Sequence, residues 1–292
     1  MKHAEDIWAD QAVESGMQVL DLRRLGDTSF EGDSLPMPGG RAYGGQVLAQ
    51  ALIAAGHTVD DERLMHSMHG YFLRPGDASR EITFEVEILR DGRSFSARRT
   101  HAFQDGKPIL SMIASFQLPQ PGPEHQVTMP EVPRPDDVVS ALDLLAPHEG
   151  HARADYWLKR TPFDLRHIEG SLLFSPDGSP KQYQTTWVRL RRPIEASDLV
   201  HRALLAFGCD QVMLEPLLRR HGASWMTPGL NFASLDHAMW WHRPARADEW
   251  LLFLQDAPTA QGGRGLGGTW IFSEDGRLVA SAAQEGMFRL PE

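Results

Sequence analysis

The chain has one cysteine, Cys209, in 292 residues. No disulfide can close within it, which fits a reducing compartment. Long apolar runs are also missing; none approaches the roughly 18–20 residues of a membrane span. Positive charge is in deficit, with 29 Lys and Arg against 39 Asp and Glu and a net charge of −10. Phosphate backbones and anionic bilayers need a basic surface, so the charge disfavours nucleic acid or an anionic membrane as main partner, and neither is expected. An anionic small ligand stays open, because arginines can cluster locally on an acidic protein. The first ten residues carry Glu5, Asp6 and Asp10 and no signal-peptide core. The ending Arg289-Leu290-Pro291-Glu292 is not a peroxisomal address. The expectation is a cytoplasmic protein. What is present is ordinary globular material, 41% apolar and 23% charged, enough for one large domain or two of common size.

Turn residues punctuate β-prone runs in two places. In the second half, Ser234–Arg243, Leu251–Leu254, Gly268–Phe272 and Leu278–Ala283 are separated by Arg243-Pro244, Gly262-Gly263 and Asp275-Gly276. In the first half, His66–Leu73, Ile82–Leu89, Ser94–Phe103 and Ile109–Leu118 form the same series, and Ile82, Phe84, Val86 and Ile88 alternate as in a sheet with one wet face. Arg74-Pro75 matches Arg243-Pro244 at an offset of 169, and Asp105-Gly106 matches Asp275-Gly276 at 170. Nearly constant spacing indicates a duplicated unit. Each series follows a helical pattern. Gly44–Gly56 is uncharged with apolar residues at helical spacing, so it should be buried nearly all round. Leu199–Leu218 is the second helix, ended or kinked by Pro216.

A short helix within Met1–Gly16, a strand pair within Gln18–Gly32 and a loop over Ser34–Ala42 precede the first unit. Between the units, Pro119 to about Gly150 is proline-rich and reads as a linker, with a short helix possible at Val138–Leu145. Strands are expected at Phe163–Ile168 and Thr185–Leu190, with a turn-rich insertion over Ser175–Pro180. The resulting expectation is α+β: a double hotdog, two antiparallel sheets each wrapped around a long central helix and joined edge to edge; the alternative is a generic α+β sandwich with the helix on one face, against which the missing polar stripe on the helix counts. Its divisions are residues 1–118, a linker at 119–155, and a second unit at 156–292 that carries the chemistry.

Chemistry is sought where the copies differ. Tyr43-Gly44-Gly45-Gln46 matches Phe207-Gly208-Cys209-Asp210 at an offset of 164, so Asp210 replaces Gln46. Asp210 is the only charged residue between Ala203 and Leu214. A lone carboxylate in an apolar helix is costly unless paired or hydrogen-bonded, which makes it a functional candidate. The alternative is a solvent-facing or arginine-paired Asp. The sheet offsets place Ser234 over Met65 and Gln284 over Ala114, again polar for apolar. Taken singly, either is also an ordinary polar residue on the wet face of a strand.

Several runs carry a family likeness: Tyr43-Gly-Gly-Gln-Val47, His66-Ser-Met-His-Gly-Tyr-Phe-Leu-Arg-Pro-Gly76, Leu89-Arg-Asp-Gly-Arg-Ser-Phe-Ser-Ala-Arg-Arg99, Leu235-Asp-His-Ala-Met-Trp-Trp-His-Arg-Pro244 and Gln284-Glu-Gly286. The chain closely resembles the type II acyl-CoA thioesterases, the double-hotdog family of bacterial thioesterase II and its peroxisomal relatives. The likeness spans about residues 18–290 and is weakest over 130–183. It implies hydrolysis of acyl-CoA to a free acid and CoA, with no metal or organic cofactor, in a homo-oligomer (dimer or tetramer). The family's catalytic Asp, Thr or Ser, and Gln fall on Asp210, Ser234 and Gln284. Asp210 would be the general base for water, and Ser234 and Gln284 would hold that water. Oxyanion donors are sought among backbone N–H groups at a helix N-terminus, around Gly208 or around Gly44 and Gly45, which are the candidate substrate contacts.

Cys209, opposite Gly45, reads as a small packed residue rather than a nucleophile. His66 with His69, and His237 with His242, would point to opposite faces of a strand, against a metal site. Arg98-Arg99 are either phosphate contacts or solvated strand charges. Trp240 and Trp241 are read as one core ring and one surface ring. The rival functions are an acyl-thioester hydratase or dehydratase, which needs an Asp–His pair, and a non-catalytic acyl-CoA binder.

Overall fold

The computed structural model describes residues 4–174 and 180–291. Most of the turn-rich insertion expected at Ser175–Pro180 lies outside the described residues. In chain order the first half holds α1 (Ala4–Gln18), β1 (Arg23–Arg24), β2 (Ser29–Gly32), α2 (Gly44–Gly56), β3 (Leu64–Phe72), β4 (Ile82–Asp91), β5 (Phe95–Gln104) and β6 (Lys107–Gln117). Then come α3 (Ala141–Leu145), α4 (Ala152–Arg160), β7 (Phe163–His167), β8 (Tyr183–Leu190), α5 (Asp198–Val212) and α6 (Glu215–Arg220). The chain finishes with β9 (Asn231–Ser234), β10 (Asp236–Trp241), β11 (Leu251–Gln261), β12 (Arg264–Ser273) and β13 (Leu278–Arg289).

These strands form one antiparallel sheet in the order β1-β2-β4-β5-β6-β3-β10-β13-β12-β11-β8-β7, with β9 added on β13. The two sheets expected from the sequence are therefore continuous. Their seam is β3 against β10, where Asp236 pairs Tyr71 and Met239 pairs Met68. The duplication is visible in the register. Met65 pairs Phe116 before a bulge and His69 pairs Ile113 after it. Shifted by 169 and 170, these become Ser234–Gly286 and Ala238–Ala283, both present. Even side-chain bonds repeat: Arg74 Nη1 donates to Pro108 O, and Arg243 Nη1 donates to Leu278 O, each at 2.8 Å.

α2 lies where its composition requires. Every residue from Gly45 to Ala55 is buried, against β5 and β6 on one side and α5 on the other. Its partner runs antiparallel: the start of α2 meets Phe207 and Asp210, and Gly56 at its end meets Leu199. α5 is capped by Ser197, whose Oγ accepts from the Val200 N–H at 3.4 Å. It stops at Val212, and α6 starts with Pro216 in its first turn. A proline there lacks the N–H that would bond to the carbonyl of residue 212, and its ring would clash with that group; the break follows.

The Pro-rich connection is not a free linker. Met129, Val132 and Val138 pack on Trp187, Trp250, Leu252 and Phe272, and the Trp187 indole donates to Pro133 O at 2.9 Å. Its sequence suggested a spacer because prolines and acids mark loops; the few apolar residues among them suffice to lay it on the sheet. α4 occupies the region read as the end of that linker. The strand expected at Ser234–Arg243 is divided at Leu235, where β9 gives way to β10.

Candidate active site

The three polar residues that distinguish the copies meet in the second half. Asp210 sits near the C-terminus of α5, Ser234 is the last residue of β9, and Gln284 lies on β13. Gln284 Nε2 donates to Asp210 Oδ1 at 2.9 Å and to Ser234 Oγ at 2.7 Å. The Ser234 hydroxyl donates to the same Asp210 Oδ1 at 3.1 Å. One carboxylate oxygen is thus held by two donors. The other, Oδ2, lies beside Gly44, where a Cβ would come within 3.2 Å of it.

Gly44 and Gly45 open α2, and the helix has no side-chain cap at Tyr43. The first N–H groups of a helix have no partner within it; here the first to bond is that of Val47, to Tyr43 O. The Gly44 and Gly45 N–H groups have no acceptor among the described residues, and Gly44 borders the cavity beside Asp210. Gly208 is different. It lies inside α5, where its N–H serves the helix ladder, and a Cβ there would strike the Phe163 ring at 3.0 Å. Its small size accommodates packing, and the donor alternative around Gly208 does not fit this geometry.

Two cavities share the wall formed by Arg41, Ala42, Gly44, Ala233 and Ser234. One, of about 510 Å³, includes Asp210 and is walled by Trp157, Leu173, Phe174, Leu214, Trp225 and Phe232. The other, of about 340 Å³, carries Arg74 and Phe72.

In the first half the same place is filled. Gln46 Oε1 accepts from the Leu35 N–H at 2.8 Å, and its Nε2 donates to Asp33 O at 3.1 Å. The chain at 33–35 closes over the position that Asp210 leaves open in the other copy.

Sequence reasoning missed two participants. Tyr43 donates its phenol O–H to Phe207 O at 2.8 Å; burial, with the Asp210 charge beside it, pushes that phenol well above its usual range. His237, set aside as a metal ligand, bonds through Nδ1 to Gln284 Oε1 at 2.5 Å. The Asp–His pair of a hydratase would need this ring on Asp210, and its bond goes to the amide instead. Cys209 is buried, and burial followed by the Asp210 charge raises its thiol pKa well above the ordinary value; such a thiol is a poor nucleophile. Arg98 is fully spent inside the protein on Thr58, Arg90 O and Asp91, and Arg99 pairs with Glu87 at 2.8 Å. Neither expectation for Arg98 holds. Trp241 is in the core and Trp240 is exposed. Among the described residues no group of three or more His, Cys, Asp or Glu could hold a metal, and no helix is long and apolar enough to cross a membrane.

A carboxylate, hydroxyl and amide at a helix N-terminus, beside an apolar cavity, make a site of the kind that activates water against an acyl group. Two family models match the chain: an acyl-CoA thioesterase N-terminal domain at residues 33–117 and an acyl-CoA thioesterase C-terminal domain at 123–288. The chain is 35% identical over 279 residues to acyl-CoA thioesterase 2 of Haemophilus influenzae, covering 94% of this chain and 97% of that one. It is 37% identical to acyl-coenzyme A thioesterase 8 of Homo sapiens, covering 93% and 88%. Among solved structures it is similar to acyl-CoA thioesterase II TesB2 from Mycobacterium marinum, with TM-score 0.79, 39% identity and coverage of 95% and 99%. A hot dog fold protein from Alicyclobacillus acidocaldarius superposes with TM-score 0.76 at 20% identity over the whole of both chains, which speaks to fold alone. The chain belongs to the acyl-CoA thioesterase family and has the hotdog fold.

Proposed function

We propose that this protein hydrolyses acyl-CoA thioesters to a free acid and CoA, with Asp210 as general base and no nucleophilic side chain. The observation that carries this is the division of labour on the carboxylate. Oδ1 is fixed by Ser234 and Gln284, while Oδ2 stays at the cavity wall beside Gly44. A water on Oδ2 gives up a proton to it as its oxygen adds to the thioester carbon. The carbonyl oxygen, now negative, lies against the Gly44 and Gly45 N–H groups at the start of α2, where the helix dipole favours negative charge. The C–S bond then breaks, the proton passes from Asp210 to the departing sulfur, and acid and CoA leave.

The two cavities suit the two ends of such a substrate. The aromatic one takes the acyl chain. The one bordered by Arg41 and Arg74 takes the CoA side, whose phosphates match guanidinium geometry. The fold reading that accompanies this is a double hotdog, residues 1–118 and 156–292 joined by 119–155, with the second unit active. A cytoplasmic homo-oligomer completes the proposal.

The test is free-thiol release from a series of short to long acyl-CoAs, with Asp210→Asn beside the wild type. Loss of about 10²–10⁴ in kcat is expected for removal of the base. Full activity in that variant would remove the mechanism.

A further inference from the structure

We propose that His237 is a positioning residue for the hydrolytic site: in its neutral form, protonated at Nδ1, it donates to Gln284 Oε1 and fixes which way that amide faces. This rests on the reading of Asp210 as base and extends it by one residue.

A glutamine amide has one acceptor end and one donor end, and the site needs the donor end. Both N–H bonds of Gln284 are committed, one to Asp210 and one to Ser234. Turned over, the amide would set its oxygen against a carboxylate oxygen and leave Asp210 short of a donor. Local geometry alone does not prevent this, because the two ends of an amide have nearly the same shape. A donor on the far side does. His237 Nδ1 is placed there at 2.5 Å, and the ring is fully buried.

The tautomer follows from the same contacts. Gln284 Oε1 can only accept, so Nδ1 carries the proton. Nε2 is buried with no partner among the described residues, so a second proton there would have no acceptor. Burial lowers the imidazole pKa, although Asp210, Gln284 and Asp236 pull the other way.

The duplication supplies a second, independent observation. Ala238 pairs Ala283 across β10 and β13, so His237 and Gln284, one step along, face each other. Shifted back by 169 and 170, that pair is Met68 and Ala114, which are paired in the first half and wholly buried. The half that lacks the carboxylate also lacks the histidine. An apolar pair fills this register without difficulty, so packing does not require His237.

Asparagine can present an amide N–H close to the position of Nδ1, and leucine cannot. The experiment compares thiol release by wild type, His237→Leu, His237→Asn and Asp210→Asn, with folding checked by thermal melts. His237→Leu is expected to lower kcat by up to about a hundredfold with KM nearly unchanged, as for loss of alignment without loss of binding. His237→Asn should recover most of it. Wild-type kcat in His237→Leu, with Asp210→Asn inactive, overturns the role of His237 and leaves the base standing. An equal loss in both His237 variants marks packing and overturns the donor role. Activity in Asp210→Asn removes the underlying reading itself. Should His237→Leu fail to fold, ¹⁵N–¹H spectra of wild-type imidazoles still decide: a signal absent from His237→Asn must report the Nδ1–H tautomer, and Nε2–H overturns the proposal.

Discussion

Gly45 of α2 stands against the backbone carbonyl of Phe207 on α5: a Cβ at Gly45 would lie 2.7 Å from that oxygen and 2.6 Å from the Tyr43 hydroxyl. The two central helices touch backbone to backbone here, one turn from Asp210. Gly45→Ala is expected to force them apart, with a loss of about 1–3 kcal/mol typical of overpacking. Urea unfolding measures it. An unchanged midpoint would mean that the helices can separate without cost.

The hydroxyl of Ser234 both accepts from Gln284 and donates to Asp210. Ser234→Thr keeps the hydroxyl and should retain most of kcat. Ser234→Ala removes one of two donors on Asp210 Oδ1 and should lower kcat by about 10²-fold. Equal activity in both variants would show that the hydroxyl is idle.

Cys209 precedes the base in the chain but takes no part in the proposed chemistry. Its thiol should resist alkylation in the folded protein and react on unfolding, since burial keeps it protonated. Cys209→Ala should turn over at close to the wild-type rate. Inactivation by a thiol reagent under native conditions, absent from Cys209→Ala, would contradict this.

Six imidazoles, those of His57, His66, His201, His221, His237 and His242, are pushed below their usual pKa chiefly by burial. The unfolded chain therefore binds these protons first, near pH 6.5, and stability falls as the pH drops below that value. Beside burial, His201 has a geometric reason to stay neutral, since its Nδ1 accepts from the Ala247 N–H at 3.1 Å and must be unprotonated to do so. Melting temperature should be level between about pH 7 and 8 and decline between about pH 6.5 and 5. His201→Asn, with an amide oxygen as acceptor, should shallow that decline. A flat profile would show that these rings titrate alike in both states.

Substrate analogues should bind once per chain, because the backbone of residues 33 and 35 is hydrogen-bonded to the buried Gln46 side chain and closes the first half's counterpart of the site. Calorimetric titration with a non-hydrolysable acyl-CoA reads the stoichiometry directly, and two sites per chain would overturn it.

What could be read in advance followed from strong local signals. The thirteen uncharged residues of α2 read as a buried helix, and all but the terminal Gly44 and Gly56 are buried. Arg-Pro and Asp-Gly landmarks exposed the repeat because turn residues tolerate little change of position. Asp210 stood out as a charge in apolar company. Other features had weak signals or none. His237 reads on a strand like any half-buried ring, and only the comparison with Met68 separates it. Closure of the first site by residues 33–35 uses backbone groups, which leave no trace in side-chain pattern. The divide at Leu235 follows from β9 pairing only β13 while β10 pairs both neighbours, a property of the sheet and not of the strand.

The seam between β3 and β10 hides two strand borders at once. Cut apart, each half would present a row of unsatisfied amides and carbonyls, ready to recruit any extended chain nearby. Within one polypeptide that encounter happens at an effective concentration set by the tether, whatever the dilution of the protein. Of the borders that remain, β1 is two arginines long. Fusion thus places two strand borders in the interior of the sheet.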